Sequence, residues 1–265
     1  MLKIYTRLWQ INWAEQWQYR ANLLMYLLYG LVSPVVFLSV WRSVANSQGG
    51  VSGLTANDFT TYYLTLLIVG KLTEEITIHI LAYKVQDGSL SGDLLRPVHP
   101  ILTSTLVYNL AFKALTFLVL IPIWLGLYLL FRPDFSAVTG ANVLLAVPAV
   151  VLGFATNFLL GAIITCVAFW TTRVYSLSEF IYGFVMLLGG TFVPLDLLPD
   201  AAQRIAHLLP FQLFLYFPIQ LILGRLTQAE IGWNFTLQGI WLVLTVAGFH
   251  YMWREGVKRF SAVGA

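Results

Sequence analysis

The sequence has few charged residues and almost no cysteine. Lys and Arg total 15 and Asp and Glu total 12, so charged side chains make up 10% of 265 residues. A soluble domain carries about 25% charged residues, because its surface faces water. This shortage excludes a water-soluble globule and a nucleic-acid binder with a basic surface. Cys166 is the only cysteine, which excludes a scaffold held by disulfides within the chain.

Motifs that carry catalytic chemistry are also missing. Gly70-Lys71 is followed by Leu72, so no phosphate-binding loop is formed there. The sequence has no H-E-x-x-H motif and no G-x-S-x-G elbow, and its four histidines lack metal-ligand spacing. It therefore predicts no metal site and no catalytic residue. If the protein does work, the energy for it is expected to come from a source outside this chain.

Long apolar stretches are abundant. Hydrophobic residues make up 58% of the chain and the mean hydropathy is +0.77. A helix that crosses a bilayer needs roughly 20 apolar residues. The stretches between charges predict an all-α integral membrane protein in one transmembrane domain, 1–265, with six transmembrane helices at 21–41, 59–83, 114–131, 142–172, 180–195 and 231–253.

The stretch 205–224 is long enough to cross as well, but Pro210 and Pro218 interrupt it. Six spans place ten Lys and Arg residues on the side of the termini, four on the other side, and Lys71 within the membrane. Cytoplasmic loops carry the excess of Lys and Arg, so both termini are predicted to be cytoplasmic. A seventh span would export the basic tail. We therefore predict a re-entrant helical segment at 189–224, on the outer side between spans five and six.

The N-terminal residues 1–20 have an aromatic side and a basic side. Tyr5, Trp9, Trp13 and Trp17 recur every four residues, with Lys3 and Arg7 roughly opposite. This pattern predicts an amphipathic helix in the headgroup layer, with its rings toward lipid.

Three charges, Lys71, Glu74 and Glu75, fall inside the second predicted span. Facing lipid, they would cost roughly 7–10 kcal/mol, so they are expected to face protein, water or one another. Lys71 is three residues from Glu74 and four from Glu75, which allows pairing on one helix face. Two interpretations stay open: a polar lining of an inner cavity, and a structural ion pair between subunits.

A stripe of small and weakly polar residues, Gly153, Asn157, Gly161 and Thr165, recurs every four residues in the fourth predicted span. Such stripes allow helices to approach closely, and helix packing is favoured here over a path for substrate.

The loop 84–100 contains a short amphipathic segment. Gly88 and Gly92 loosen the backbone and Pro97 and Pro100 end it, while the leucines between them can line one helix face. Exposed leucines need a partner groove or a membrane surface. The residues themselves leave these two alternatives open.

The sequences QDGSLSGDLLRPVHP at 86–100, GGTFVPLDLLP at 189–199, LLPFQLFLYFPIQLILG at 208–224 and the tail from Trp253 resemble permease subunits of type-2 ATP-binding-cassette exporters. The resemblance implies a second permease subunit, identical or similar, and separate cytoplasmic ATP-binding subunits that hold ATP and Mg in a bacterial plasma (inner) membrane. It implies that the 84–100 loop couples to those subunits through Asp87, Gly88, Leu90, Asp93, Leu94, Leu95 and Arg96.

The resemblance also implies an outer gate in the 189–224 segment, with Phe192, Pro194 and Phe211 as gate residues. Bulky rings at a narrow opening can close it by dewetting, although rings of this kind also form interfacial belts. Within the segment, Asp200 and Gln203 have the spacing of a helix capping box.

These observations predict the transmembrane subunit of an ATP-driven exporter without an ATPase site or cofactor of its own. The alternative is an ion-coupled secondary transporter that uses Glu74 and Glu75 as carriers. A membrane-embedded enzyme is disfavoured because no nucleophile is paired with a base. Apolar, aromatic spans are compatible with an amphipathic substrate.

Overall fold

The protein was analysed as a computed structural model that describes residues 2–260, and the side chains of 6–260. The described part is all-helical and has no strand. Its α-helices are α1 (Leu2–Gln18), α2 (Arg20–Gln48), α3 (Ala56–Thr73), α4 (Thr77–Gln86), α5 (Leu90–Leu94), α6 (Val107–Phe131), α7 (Gly140–Cys166), α8 (Val174–Leu188), α9 (Asp200–Leu208), α10 (Phe211–Phe214), α11 (Tyr216–Ile222) and α12 (Gln228–Val257). A π-helical turn, Ile101–Leu106, leads into α6.

Four stretches in the described residues are long and apolar enough to cross a membrane: Arg20–Gln48, Ile101–Phe131, Gly140–Phe169 and Gln228–Val257. They agree with the first, third, fourth and sixth predicted spans. The fifth corresponds to the apolar α8, whose 15 residues reach about 22 Å at 1.5 Å per residue, short of a hydrocarbon core about 30 Å thick. The six-span arrangement stays a prediction.

The second predicted span is two helices instead of one. α3 ends at Thr73 and α4 begins at Thr77, and the residues between them, 74–76, are not helical. The start of α3 is fixed by a capping box between Thr55 and Asp58, which satisfies amide groups that have no partner within the helix. Hydropathy alone did not reveal the interruption, because the residues on both sides are equally apolar.

The 189–224 segment is packed into the protein. α10 and α11 contact α7, and α11 also contacts α3. Gln212, Phe214, Phe217 and Gln220 are all buried, as expected of irregular backbone at membrane depth. The predicted capping box in this segment was wrong. Pro199 precedes α9 without a side-chain cap, and the side-chain amide of Gln203 donates to the carbonyl of Leu195.

The predicted N-terminal helix is present as α1, which packs against α6. The rings of Trp9 and Trp13 stack with their centroids 6.2 Å apart, and Trp17 is exposed. The side chains of Lys3 and Tyr5 lie outside the described residues. The headgroup location of α1 stays a prediction.

Candidate functional site

The 84–100 loop continues α4 and then folds back through α5. We call residues 77–96 the α4–α5 arm. Its apolar side is a small core of Leu81, Val85 and Leu90, all buried, against Phe169 and Trp253. The loop that follows α7 and the end of α12 therefore fix the direction of the arm.

Charged groups lock α5 onto α4. The Lys84 ammonium donates to Asp93 Oδ2 at 2.6 Å and to the Ser104 hydroxyl at 3.0 Å, and Ser104 donates to the same carboxylate at 2.8 Å. Arg96 lies 3.1 Å from Asp93 Oδ1. The Asp93 side chain is 6% exposed, so this carboxylate points into the arm and positions α5.

In contrast to Asp93, several of the predicted coupling residues lie on the surface of the arm. Leu95 is 88% exposed and Arg96 is exposed beside it, whereas Leu94 is half-buried. Asp87 is exposed and accepts hydrogen bonds from Ser89. Gly88 has a φ of 80° at the turn into α5, a conformation that favours glycine. The seven predicted coupling residues are thus divided between an outward tip and an inward anchor.

We expect Asp93→Asn to loosen the arm. Burial raises the pKa of the Asp93 carboxyl, but hydrogen bonds from Lys84 and Ser104 and the nearby cations outweigh it and lower the pKa. A lowered pKa means that the ion pair stabilises the fold fully at neutral pH and is lost as the pH falls through that pKa. Amide hydrogen exchange of residues 90–96 at pH 7 should rise about tenfold, the low end for a charged hydrogen bond.

The control for that experiment is Asp87→Asn, which removes a carboxylate on the surface of the same arm. It should leave the exchange of residues 90–96 unchanged. Wild-type protein should gain the same fast exchange, corrected for the intrinsic rate, only under strong acidification. Equal exchange in Asp93→Asn and wild type would contradict the anchoring role.

A second group of polar residues surrounds the 74–76 break, and it includes the predicted cluster. The Lys71 ammonium pairs with Glu74 at 2.9 Å, three residues along the chain, as predicted. The Tyr26 hydroxyl donates to Glu74 at 3.2 Å, and the Lys71 ammonium lies 5.2 Å from the centre of the Tyr26 ring. Glu75 points elsewhere and accepts from the Thr77 amide at 2.7 Å.

Side chains from other helices satisfy the backbone groups freed at the break. The Lys113 ammonium donates to the carbonyl groups of Lys71 and Glu74. Asn109 accepts from the amide of Ile76, and Asn157 donates to the carbonyl of Thr73. Unsatisfied backbone groups at membrane depth cost several kcal/mol each, so these contacts make the break possible.

The third predicted span begins at 114, directly after Lys113. The helix continues past it to Val107 and, as a π-helical turn, to Ile101. The available signal was a lysine next to an apolar run, and such a residue can end a span or lie inside it. A matching acceptor on another helix decides between the two, and the sequence does not show it.

The small-residue stripe on α7 is a packing surface, as favoured above. Gly153 lies against the backbone of Leu213 and Phe214, and an added Cβ at Gly161 would collide with the Glu75 carboxylate. Thr165 is buried. α7 thus holds the 189–224 segment on one side and the 74–76 break on the other.

The predicted gate residues lie in the segment after α8 and at the start of α10. The carbonyl of Phe192 accepts from the Trp41 indole at 3.1 Å and from the Tyr63 hydroxyl at 2.8 Å, and its ring packs edge-on against Phe37. Pro194 is buried, and the ring of Phe211 packs on Phe214. The two rings have different neighbours, and their gating role stays a prediction.

A family model described as ABC-2 family transporter protein matches residues 17–264, which is nearly the whole chain. No curated protein matches the chain. The match includes both the α4–α5 arm and the 189–224 segment.

Proposed function

The chain belongs to the ABC-2 family of transporter proteins, and we propose that it is the transmembrane subunit of an ATP-driven exporter. It would pair with a second permease subunit, identical or similar, and with two cytoplasmic subunits that bind ATP and Mg. The chain itself would hydrolyse no ATP. Its place would be the bacterial inner membrane with both termini cytoplasmic, which the excess of Lys and Arg on that side supports.

The observation that carries this proposal is the shape of the α4–α5 arm. α5 is held by the Lys84–Asp93 pair and by the buried Leu90, while Leu95 stands exposed at its tip. An exposed apolar side chain on a segment that ion pairs hold in place is suited to a groove on another protein. The arm leads directly into the 74–76 break, so a push on its tip would act on the second predicted span.

Co-purification tests the proposal. A tagged chain, co-expressed with an ATP-binding subunit encoded beside it, should retain that subunit in detergent. ATP hydrolysis should occur in the complex and not in the chain alone. Transport by reconstituted complex should require ATP and continue in the presence of an uncoupler. Transport by the isolated chain down an ion gradient would overturn the proposal.

A further inference from the structure

A cavity of about 560 Å³ lies between α1 and the bundle of α2, α4 and α6. With the predicted orientation, it lies at the depth of the inner leaflet, next to the 74–76 break. This volume is in the range of about 300–1,000 Å³ that small-molecule sites occupy. Its walls are formed by Glu15, Gln16, Tyr19, Asn22, Leu23, Tyr26, Ile76, His79, Ile80, Tyr108 and Phe112.

Among the described residues, the cavity is lined by one carboxylate, Glu15, and by one imidazole, His79. Neither Lys nor Arg is among the described residues that line it. Glu15 is exposed toward it and forms no ion pair within the described part of the chain. The nearby Lys71 is already paired with Glu74. Within the described part of the chain, Glu15 therefore has no Lys or Arg partner in the cavity.

Aromatic rings form much of the remaining wall. Tyr26 and Phe112 meet edge to face with centroids 5.4 Å apart, and Tyr19 and Tyr108 add two further rings. Ring faces attract cations, and quaternary ammonium groups are recognised in this way. The Tyr26 ring already has the Lys71 ammonium 5.2 Å from its centre, so a positive charge is tolerated in this environment.

We propose that this cavity binds an amphiphilic organic cation. The ammonium group of the ligand would contact Glu15 and the aromatic rings, and its apolar part would point toward the bilayer. The inference rests on the proposed function, since it names the class of substrate that the exporter would collect from the inner leaflet. A neutral or anionic amphiphile would leave Glu15 unpaired or repelled.

A second cavity supports the same class of substrate. It measures about 390 Å³ and lies beside α11 and the start of α12. Asp196 there accepts hydrogen bonds only from neutral groups, the Tyr216 hydroxyl at 2.6 Å and the Gln220 amide at 3.0 Å. The amide oxygen of Gln220 is buried without a partner, while Arg225 is paired with Asp58. Acceptor groups are thus in excess here too.

The test uses radiolabelled decyltrimethylammonium and the purified full chain in uncharged dodecyl maltoside. Glu15→Gln should weaken binding about threefold, as expected for an ionic contact to an exposed carboxylate. The matched control Glu179→Gln removes an exposed carboxylate that does not line the cavity and should bind as wild type. Unlabelled decyl sulfate, which has the same chain and the opposite charge, should not compete.

A second pair of variants tests the rings. Tyr19→Leu should weaken binding several-fold, whereas Tyr251→Leu, at an exposed tyrosine outside the cavity, should not. If lysophosphatidylethanolamine competes, the ligand that supplies the ammonium group is a membrane lipid. If it does not compete, the ligand is a foreign amphiphile. Equal binding by wild type and Glu15→Gln, or competition by decyl sulfate, would overturn the inference. This assay needs no ATP-binding subunit, so its failure leaves the co-purification result intact.

Discussion

Lys71→Met is expected to destabilise the protein by about 3 kcal/mol, because it leaves the Glu74 carboxylate in a largely buried site without its cation. Lys71 is 9% exposed, and the Glu74 side chain is 28% exposed. The remaining partner of Glu74, the Tyr26 hydroxyl, is neutral. The apparent melting temperature in detergent should fall by roughly 8 °C for a chain of this size.

Two further variants make this prediction specific. Lys71→Met combined with Glu74→Leu removes both charges and should recover most of the lost stability, since replacing a whole buried pair is close to neutral. Lys258→Met breaks a pair with the same three-residue spacing, Lys258–Glu255, which is exposed, and should have no measurable effect. A double variant as unstable as the single one would contradict the role of the ion pair.

Leu95→Asp is expected to reduce retention of the ATP-binding subunit more than tenfold. Leu95 is 88% exposed, so the change should not affect folding of the arm, whereas a buried carboxylate in a docking groove is costly. The measurement is the amount of ATP-binding subunit that co-purifies with the tagged chain, together with the ATP hydrolysis of the eluate.

Two matched controls separate the loss of the apolar side chain from the addition of a charge. Leu95→Met retains an apolar tip and should keep the partner. Leu208→Asp places the same charge on an exposed leucine of α9, in the 189–224 segment, and should also keep it. Loss of the partner in Leu208→Asp would show a general effect of the added charge and would contradict docking through Leu95.

Much of the predicted fold depended on local properties of the sequence, namely the hydropathy and length of apolar runs and the spacing of small residues. The apolar runs between charges predicted four long helices close to where they lie, because a membrane helix needs only length and hydropathy. The four-residue stripe on α7 predicted a packing face, because helical spacing places Gly153 and Gly161 on one side. The helix of the third span begins before the apolar run does, because the Lys113 ammonium has carbonyl acceptors at the end of α3 and in the 74–76 break.

The predicted coupling residues illustrate the same limit. A leucine-rich loop next to Asp93 and Arg96 was recognisable, but the side chains that face outward were not. Helical spacing grouped Leu90 with Leu95, whereas Leu90 is buried and Leu95 is 88% exposed. In a helix as short as α5, the direction of each side chain depends on its neighbours, here Lys84 and the end of α12.

The sequence by itself determined that this is an all-α membrane chain, with a Gly- and Leu-containing loop after its second apolar stretch. Both conclusions depend on composition and on the order of neighbouring residues, which are the same whatever tertiary structure the chain adopts. Only the tertiary structure decided that the second stretch breaks at 74–76, that Asp93 points inward and that no Lys or Arg among the described residues lines the cavity beside Glu15. Those features depend on groups from helices far apart in sequence, whose meeting is set by packing.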